Sequence, residues 1–563
     1  MQLPVEGLEI APRELVAKRS GPLYGVHSYH TKIPPSAIAA SILRHSARGA
    51  LVLDPFSGSG MTGVAAALHG RRAILNDLSP AAVHIARNYT APCSADGFLS
   101  AVQRVLRQVG PEIESFYLTS EAGAPATVEY LVWSDVRRCP ACATDVLLWD
   151  ARAEGLRRLR CPDCAYETAK TDFKIVGERA VEANLSVVRG PRIVRSVREE
   201  DLGLDRLPPD LPWVPETPFS SERPMWRRGH RELGIDTLTD FYSRRNLAAF
   251  ALLWREANAE PDERLREALR FSLTAIANRA SRRYQWNSKR PTNVLGGTLY
   301  VSSLRYEWNV LSLWKRKTAA VARLFRENPM PAGAVDVLQG SATDLPLADS
   351  SVDYVFTDPP FGAHIVYSDS SLLWESWLDD YTDRDREAIV VSGGDTPKKI
   401  ADYETLLRGS FAEIRRVLKP KAQATVVFQA TDPEVWAAIQ RGAVDAGLDL
   451  IDATTLDKGQ PSFKQIKGQG GERVASADIV LTLAKRGKNH RTKSTQISPL
   501  EALRKTMAIA CAQKRSVPIG KLFALVNARL LASGAERIVT YDELHALLRE
   551  HHIEEDGRWK GKP

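Results

Sequence analysis

An apolar run, Ala50-Leu51-Val52-Leu53-Asp54, passes directly into a glycine-rich turn and then an alanine-rich helix that stops at Gly70. This strand-turn-helix unit restricts the fold more than any other stretch of the chain. A second run, Ala73-Ile74-Leu75, follows at once and ends in Asn76-Asp77. Ser79-Pro80 then opens a helix through Asn88, proline being preorganised for a first helical position. Strands separated by helices need a parallel-type sheet covered on both faces. The alternation then stops. It resumes at Ala334-Val335-Asp336-Val337-Leu338 and continues through Val352 to Phe356, a helix from Tyr403 to Leu418, and strands Ala424 to Phe428 and Ile479 to Leu483. One α/β sheet assembled from two separated blocks is expected, interrupted by a long insert.

A chain of 563 residues exceeds the size at which one core keeps growing, and 44% hydrophobic against 26% charged residues excludes wholesale disorder. Its breaks in pattern divide it into five segments: 1–93, first part of the sheet; 94–200, an insert with paired cysteines; 201–333, helical and basic; 334–487, second part of the sheet; and 488–563, a helical or winged-helix-like appendage. The net charge of +8 favours a polyanionic partner, with plain solubility as the competing reading. Met1 to Ser20 lacks an uninterrupted apolar core, so it does not read as a secretory signal. No apolar stretch is long enough to cross a bilayer, and a cytoplasmic protein with no membrane partner is expected.

Four of the six cysteines form two Cys-x-x-Cys knuckles, Cys139 with Cys142 and Cys161 with Cys164. That spacing suits a closed tetrahedral thiolate site for a structural zinc; an iron centre or a redox pair is the alternative. Cys93 and Cys511 stand alone and read as small apolar side chains.

The turn Asp54-Pro55-Phe56-Ser57-Gly58-Ser59-Gly60 lets backbone amides and a helix N-terminus approach a small charged ligand. Such turns serve several nucleotide ligands. Asp77, ending the next strand, is placed to accept from both hydroxyls of a ribose, or alternatively to cap the helix beginning near Ser79.

Together with Met61-Thr62-Gly63, that turn and Thr357-Asp358-Pro359-Pro360-Phe361-Gly362 resemble the cofactor and catalytic motifs of amino-group DNA methyltransferases. Tyr29-His30-Thr31-Lys32-Ile33-Pro34-Pro35 is similar to their carboxylate-side cofactor motif. With the cysteine pairs, the resemblance is to adenine-specific DNA methylases that carry a zinc ribbon. It covers about half the chain, in two blocks. It implies a Rossmann-like sheet binding S-adenosylmethionine through Tyr29, His30, Lys32, Asp54, Pro55, Phe56, Gly58, Ser59, Gly60, Thr62 and Asp77. Asp344 is similarly set to accept from the cofactor's adenine, or simply to form a turn.

The resemblance also implies that Asp358, Pro359, Pro360 and Phe361 are catalytic. An exocyclic amine is a poor nucleophile because its lone pair is delocalised, so orientation must supply much of the rate. Asp358 can accept one amine hydrogen and a carbonyl of the rigid Pro359-Pro360 pair the other, while Phe361 offers a face to an extruded base. Tyr367 is a further candidate beside that base. A turn after a strand is the bland reading of Asp-Pro-Pro.

Arg282, Arg283, Tyr284, Trp286, Lys289 and Arg290 combine cations for phosphates with rings for bases, and Trp314-Lys315-Arg316-Lys317 repeats the mixture. Arg227, Arg228 and His230 beside Trp226 make a weaker patch. A solvated helix face around buried tryptophans is the alternative. Taken together, the expected function is site-specific methylation of adenine N6 in double-stranded DNA with base flipping. Cytosine N4, guanine N2 of transfer RNA, and an inactive zinc-containing nucleic-acid-binding protein remain open. Such an enzyme is compatible with a role in restriction-modification or phage defence and with partner proteins of that system.

Overall fold

The computed structural model describes residues 14–16, 21–153, 157–188, 190–287, 294–362, 365–428, 433–457, 477–486, 497–512, 517–533, 538–555 and 558–561. Most of the amino-terminal run read for a signal, Lys289, Arg290 and most of the basic stretch after Lys485 lie outside them. Among the described residues, no helix is long and apolar enough to cross a membrane.

The central sheet has eight strands in the order Glu14–Val16, Leu448–Asp457, Ala477–Lys485, Leu418–Phe428, Val352–Thr357, Leu51–Asp54, Arg72–Asp77 and Val335–Gln339. Ala477–Lys485 runs antiparallel to both of its neighbours, and every other pairing is parallel. The expected α/β class holds, with three differences: Glu14–Val16 and Leu448–Asp457 were not read as strands, and Ala477–Lys485 is reversed. A strand that pairs with its immediate predecessor in the chain needs no helical crossover, and this allows the reversal.

Side chains alternate across the sheet as strand geometry requires. Val52, Tyr354 and Phe356 enter one apolar cluster, and Leu53 and Val355 enter another on the opposite face. The first cluster includes buried residues of the helices Ala95–Ser115, Arg244–Asn258, Glu263–Ala280 and Val310–Glu327. The second runs on into the C-terminal helix Ile519–Ala532 through Leu522, Phe523, Val526 and Leu530. That terminal unit is ordered helix, strand, helix, helix, hairpin.

A second sheet, antiparallel and six-stranded, forms the insert around the long hairpin partners Ala124–Arg138 and Lys174–Val187. Its edge strand Leu304–Trp308 comes from the helical segment. Residues 94–200 and 201–333 are thus tied by strand pairing. Buried Arg305 completes the joint, bonding Asp135 Oδ1 at 2.8 Å and Glu178, while Arg282 also pairs with Glu178 at 2.7 Å.

Chain order reverses between Leu51–Asp54 and Val352–Thr357, the two strands from which the sheet grows in opposite directions. In open α/β sheets, ligands bind in the crevice at the carboxyl ends beside such a reversal. The glycine turn and the Asp-Pro-Pro-Phe loop both leave the sheet there.

Candidate active site

The turn after Leu51–Asp54 is held by its own carboxylates. Buried Asp54 accepts the Thr62 hydroxyl at 2.6 Å and the Phe56 amide at 3.2 Å. Asp77 accepts the amides of Gly58 at 2.7 Å and Ser79 at 2.9 Å. Burial raises Asp54 to about 7, against bonds from Thr62, Thr357 and Phe56, and raises Asp77 to about 6.

Gly58 and Gly60 both have left-handed φ, +48° and +78°, but they do different things. A Cβ on Gly58 would lie 2.7 Å from the Tyr29 ring at the ligand side, whereas one on Gly60 would lie 2.7 Å from Ala86 Cβ, where two helices pack.

A cleft opens over this turn. Tyr29, Lys32, Asp54, Pro55, Phe56, Gly58, Ser59, Thr62 and Asp77 line it, and so do Asp358 and Pro360 from the other loop. The two motifs therefore face one space. Ser57 also lines it, and its buried hydroxyl has no hydrogen-bond partner among the described residues. A methionine-derived cationic nucleoside fits this chemistry: an uncommitted hydroxyl, a cradle without Cβ, and the carboxylates of Asp54, Asp77, Asp358 and Glu387 around it.

Tyr403 donates its hydroxyl to the Pro360 carbonyl at 2.7 Å and so fixes the Asp358 loop. Tyr367 stands half-buried in the cleft wall, and desolvation together with nearby Asp358 keeps its phenol protonated. Glu387 accepts the Ser368 amide and hydroxyl at 3.0 and 2.6 Å, securing the start of the helix Tyr367–Leu378. At that helix's far end, Glu375 accepts the hydroxyls of Ser79 at 2.7 Å and Thr382 at 2.5 Å. Tyr403, Glu387, Glu375 and Ser57 were not singled out as site residues in the sequence. Only Ser57 carries a signal there, being inside the glycine turn.

Several expectations change. Asp344 is exposed and does not line the cleft; Ser341, Ala342 and Thr343 of its loop do, because the turn bonds Asp344 N–H back to the Ser341 carbonyl at 3.2 Å. Phe361 turns its ring into the core, edge-on to Phe428 at 5.5 Å, and presents no face to the cleft. His30 faces a neighbouring cavity and bonds Ser371 Oγ at 3.0 Å; burial, with Arg283 nearby, lowers it to about 3 and leaves it neutral.

The basic cluster is not a surface patch. Arg282 is taken up by Glu178 and by the carbonyls of Leu233 and Asp240. Arg283 is 4% exposed and bonds Asn278 and the carbonyls of Leu295 and Thr298. Tyr284 is buried, and Trp286 packs against Trp149 at 4.9 Å. A long polar head on a mostly apolar stem can brace a fold as readily as it can face solvent. In the weaker patch His230 is buried, while Arg227 and Arg228 are exposed, Arg228 pairing with Glu232 at 2.7 Å.

The four cysteines converge. Their sulfurs all lie within 4.8 Å of one another, with Cys139 to Cys164 at 3.7 Å and Cys142 to Cys161 at 3.5 Å. A tetrahedron of thiolates on zinc has edges of about 3.8 Å. The knuckles share one geometry: the Cys139 amide donates to the Thr144 carbonyl and the Cys161 amide to that of Tyr166, with Ala143 and Ala165 both left-handed. Two such turns aim four sulfurs at one point, and the set fits a structural zinc.

Residues 11–88 match a family model described as DNA methylase. The DNA methylase match includes Tyr29 to Lys32, the glycine turn and Asp77, and it stops before the Asp358 loop. No match was found among curated proteins. Among solved structures, the [4+2]-cyclase SpnF is similar at 15% identity and a TM-score of 0.17, over 31% of this chain and 64% of that one. A candidate DNA modification methylase from Thermus thermophilus is similar at 17% identity and a TM-score of 0.16, over 29% of this chain and 61% of that one. The chain thus spans less than two thirds of either structure. Its own strand order, independent of these likenesses, defines the fold.

Proposed function

We propose that the chain transfers a methyl group from S-adenosylmethionine to the exocyclic N6 of adenine in DNA, acting on an extruded base. One observation carries the reading: Asp358 and the Asp54 to Gly60 turn open onto the same cleft. The cofactor supplies an electrophilic methyl on a sulfonium. Asp77 accepts from the ribose hydroxyls, Ser57 and the turn amides hold the polar end, and the surrounding carboxylates favour a cation.

Asp358 accepts one hydrogen of the amine, and a carbonyl of Pro359-Pro360 accepts the other. Those bonds draw the nitrogen toward tetrahedral geometry and free its lone pair. The bond from Tyr403 keeps the loop still while this happens. Since Phe361 is turned inward, Tyr367 supplies the ring beside the base. The four cysteines hold a structural zinc in the insert, which together with the helical segment contacts the DNA.

Duplex DNA and transfer RNA incubated in parallel with methyl-labelled cofactor test the reading. Label should enter DNA as N6-methyladenine; label entering RNA alone, or cytosine alone, overturns the substrate. Asp358→Ala should lower transfer by about a thousandfold while cofactor binding persists.

A further inference from the structure

Behind Tyr29 and Lys32, which line the cleft on one side, lies a second cavity that they also line. The two spaces differ in charge. The first is lined by four carboxylates, Asp54, Asp77, Asp358 and Glu387, with the cations Lys32 and Arg386; the second by Lys32, Arg279, Arg283 and Lys317, with no Asp or Glu among the described residues that line it. A pocket built this way selects acceptor-rich anions.

Its donors also outrun their local partners. Arg283 and Trp374 are 4% and 2% exposed, both line this cavity, and Arg283 Nε and Trp374 Nε1 have no hydrogen-bond partner among the described residues. Buried N–H groups are rarely left unpaired, so two in one wall point to a ligand that accepts. The other Arg283 nitrogens hold the wall itself through Asn278, Leu295 and Thr298. Burial and the neighbouring cation lower Lys32 to about 7 and Lys317 to about 8, as expected where positive charges gather out of water.

We propose that this second cavity receives a phosphodiester of the strand whose base enters the first cleft. The inference rests on the nucleic-acid reading above and deepens it. Of the arginines and lysines that fail as an exposed patch, Arg283 serves here in the wall of a phosphate site, with Tyr29 as the partition between base chemistry and backbone. Anchoring the backbone beside the partition orients the base that passes it.

Salt titration of the full-length protein with a short fluorescein-labelled single-stranded deoxyoligonucleotide tests the site. For Lys317→Gln, the slope of log affinity against log salt should fall by about 0.7 and affinity by about tenfold, with S-adenosylmethionine binding by calorimetry unchanged. Lys317→Arg should restore the slope, which separates lost charge from lost folding. Trp374→Phe keeps a ring and deletes the N–H, and should weaken the oligonucleotide about threefold without moving the slope.

Wild-type slope and affinity in both Lys317→Gln and Trp374→Phe overturn the site. Cofactor affinity that falls while oligonucleotide binding stays intact also overturns it, assigning the cavity to the cofactor's carboxylate. If the wild-type protein methylates DNA and the Lys317→Gln slope is unchanged, this inference alone fails. If the wild-type protein neither binds nor methylates DNA, the nucleic-acid reading fails and takes the site with it.

Discussion

Asp77 accepts the Gly58 amide at 2.7 Å, so the carboxylate that ends the second strand also sets the shape of the turn after the first. Its other oxygen holds Ser79, the N-cap of the following helix. One side chain therefore joins three elements around the cleft. The ribose-binding and helix-anchoring readings of this residue are compatible, because a carboxylate has lone pairs for both.

Titration follows from that burial. Asp54 and Asp77 rise from 3.8 to about 7 and about 6, so the folded protein binds their protons more tightly than the unfolded chain does. Their contribution to the stability of the ligand-free protein is present below about pH 4 and is lost as pH climbs through about 6 to 7. A cationic ligand prefers the ionised forms, so S-adenosylmethionine should bind about tenfold more tightly at about pH 8 than at about pH 5.5. Calorimetry at both pH values checks this, and Asp77→Asn should flatten the difference. Equal wild-type affinities would remove the assignment.

Tyr403 acts through the loop rather than on the substrate. Tyr403→Phe removes the bond to the Pro360 carbonyl while leaving the buried ring in place. We expect kcat to fall about tenfold with the KM for cofactor nearly unchanged. A rise in KM alone would show that the hydroxyl matters for binding and not for loop placement.

Much of this was legible in the sequence because it is local. Strand periodicity, the glycine turn and the cysteine spacing each depend on residues a few positions apart, and each stands where expected. What was not legible depends on distant partners. Tyr403 and Glu387 carry no motif, and their roles exist only once Pro360 and Ser368 are beside them. The arginine cluster misled for the opposite reason: its composition suits phosphate, but the acceptors that bury Arg282, such as Glu178, lie far away in the chain. Phe361 stands in a motif, yet its rotation is decided by Phe428.

The cysteine site should be a folding element. Cys161 is buried and Cys164 exposed, and Cys161→Ser removes a ligand from the protected side of the tetrahedron. Zinc content should drop from about one per chain, and the insert should melt separately and earlier, as closed thiolate sites contribute folding energy outright. Atomic absorption and calorimetry on the same sample check both. Undiminished zinc with an unchanged melt would contradict the site.

Arg305 lies in the joint between the two insert segments. It is 1% exposed and bridges Asp135 and Glu178. Arg305→Met takes one of two cations from buried Asp135 and from the partly exposed Glu178, and should destabilise the protein by about 3 kcal/mol. Chemical denaturation measures it. A loss below about 1 kcal/mol would mean that Arg137 and Arg282 compensate.

The pairing of Val335–Gln339 with Arg72–Asp77 carries a cost in time. Contacts between residues so far apart in sequence form slowly, because a long loop must close before they are rewarded. During synthesis, the glycine turn and its first two strands emerge long before their partners exist, and they wait with open edges. The insert draws its strands from residues 118 to 308, all made before Val335, so the cleft that needs both blocks of the sheet should close only after the insert is complete.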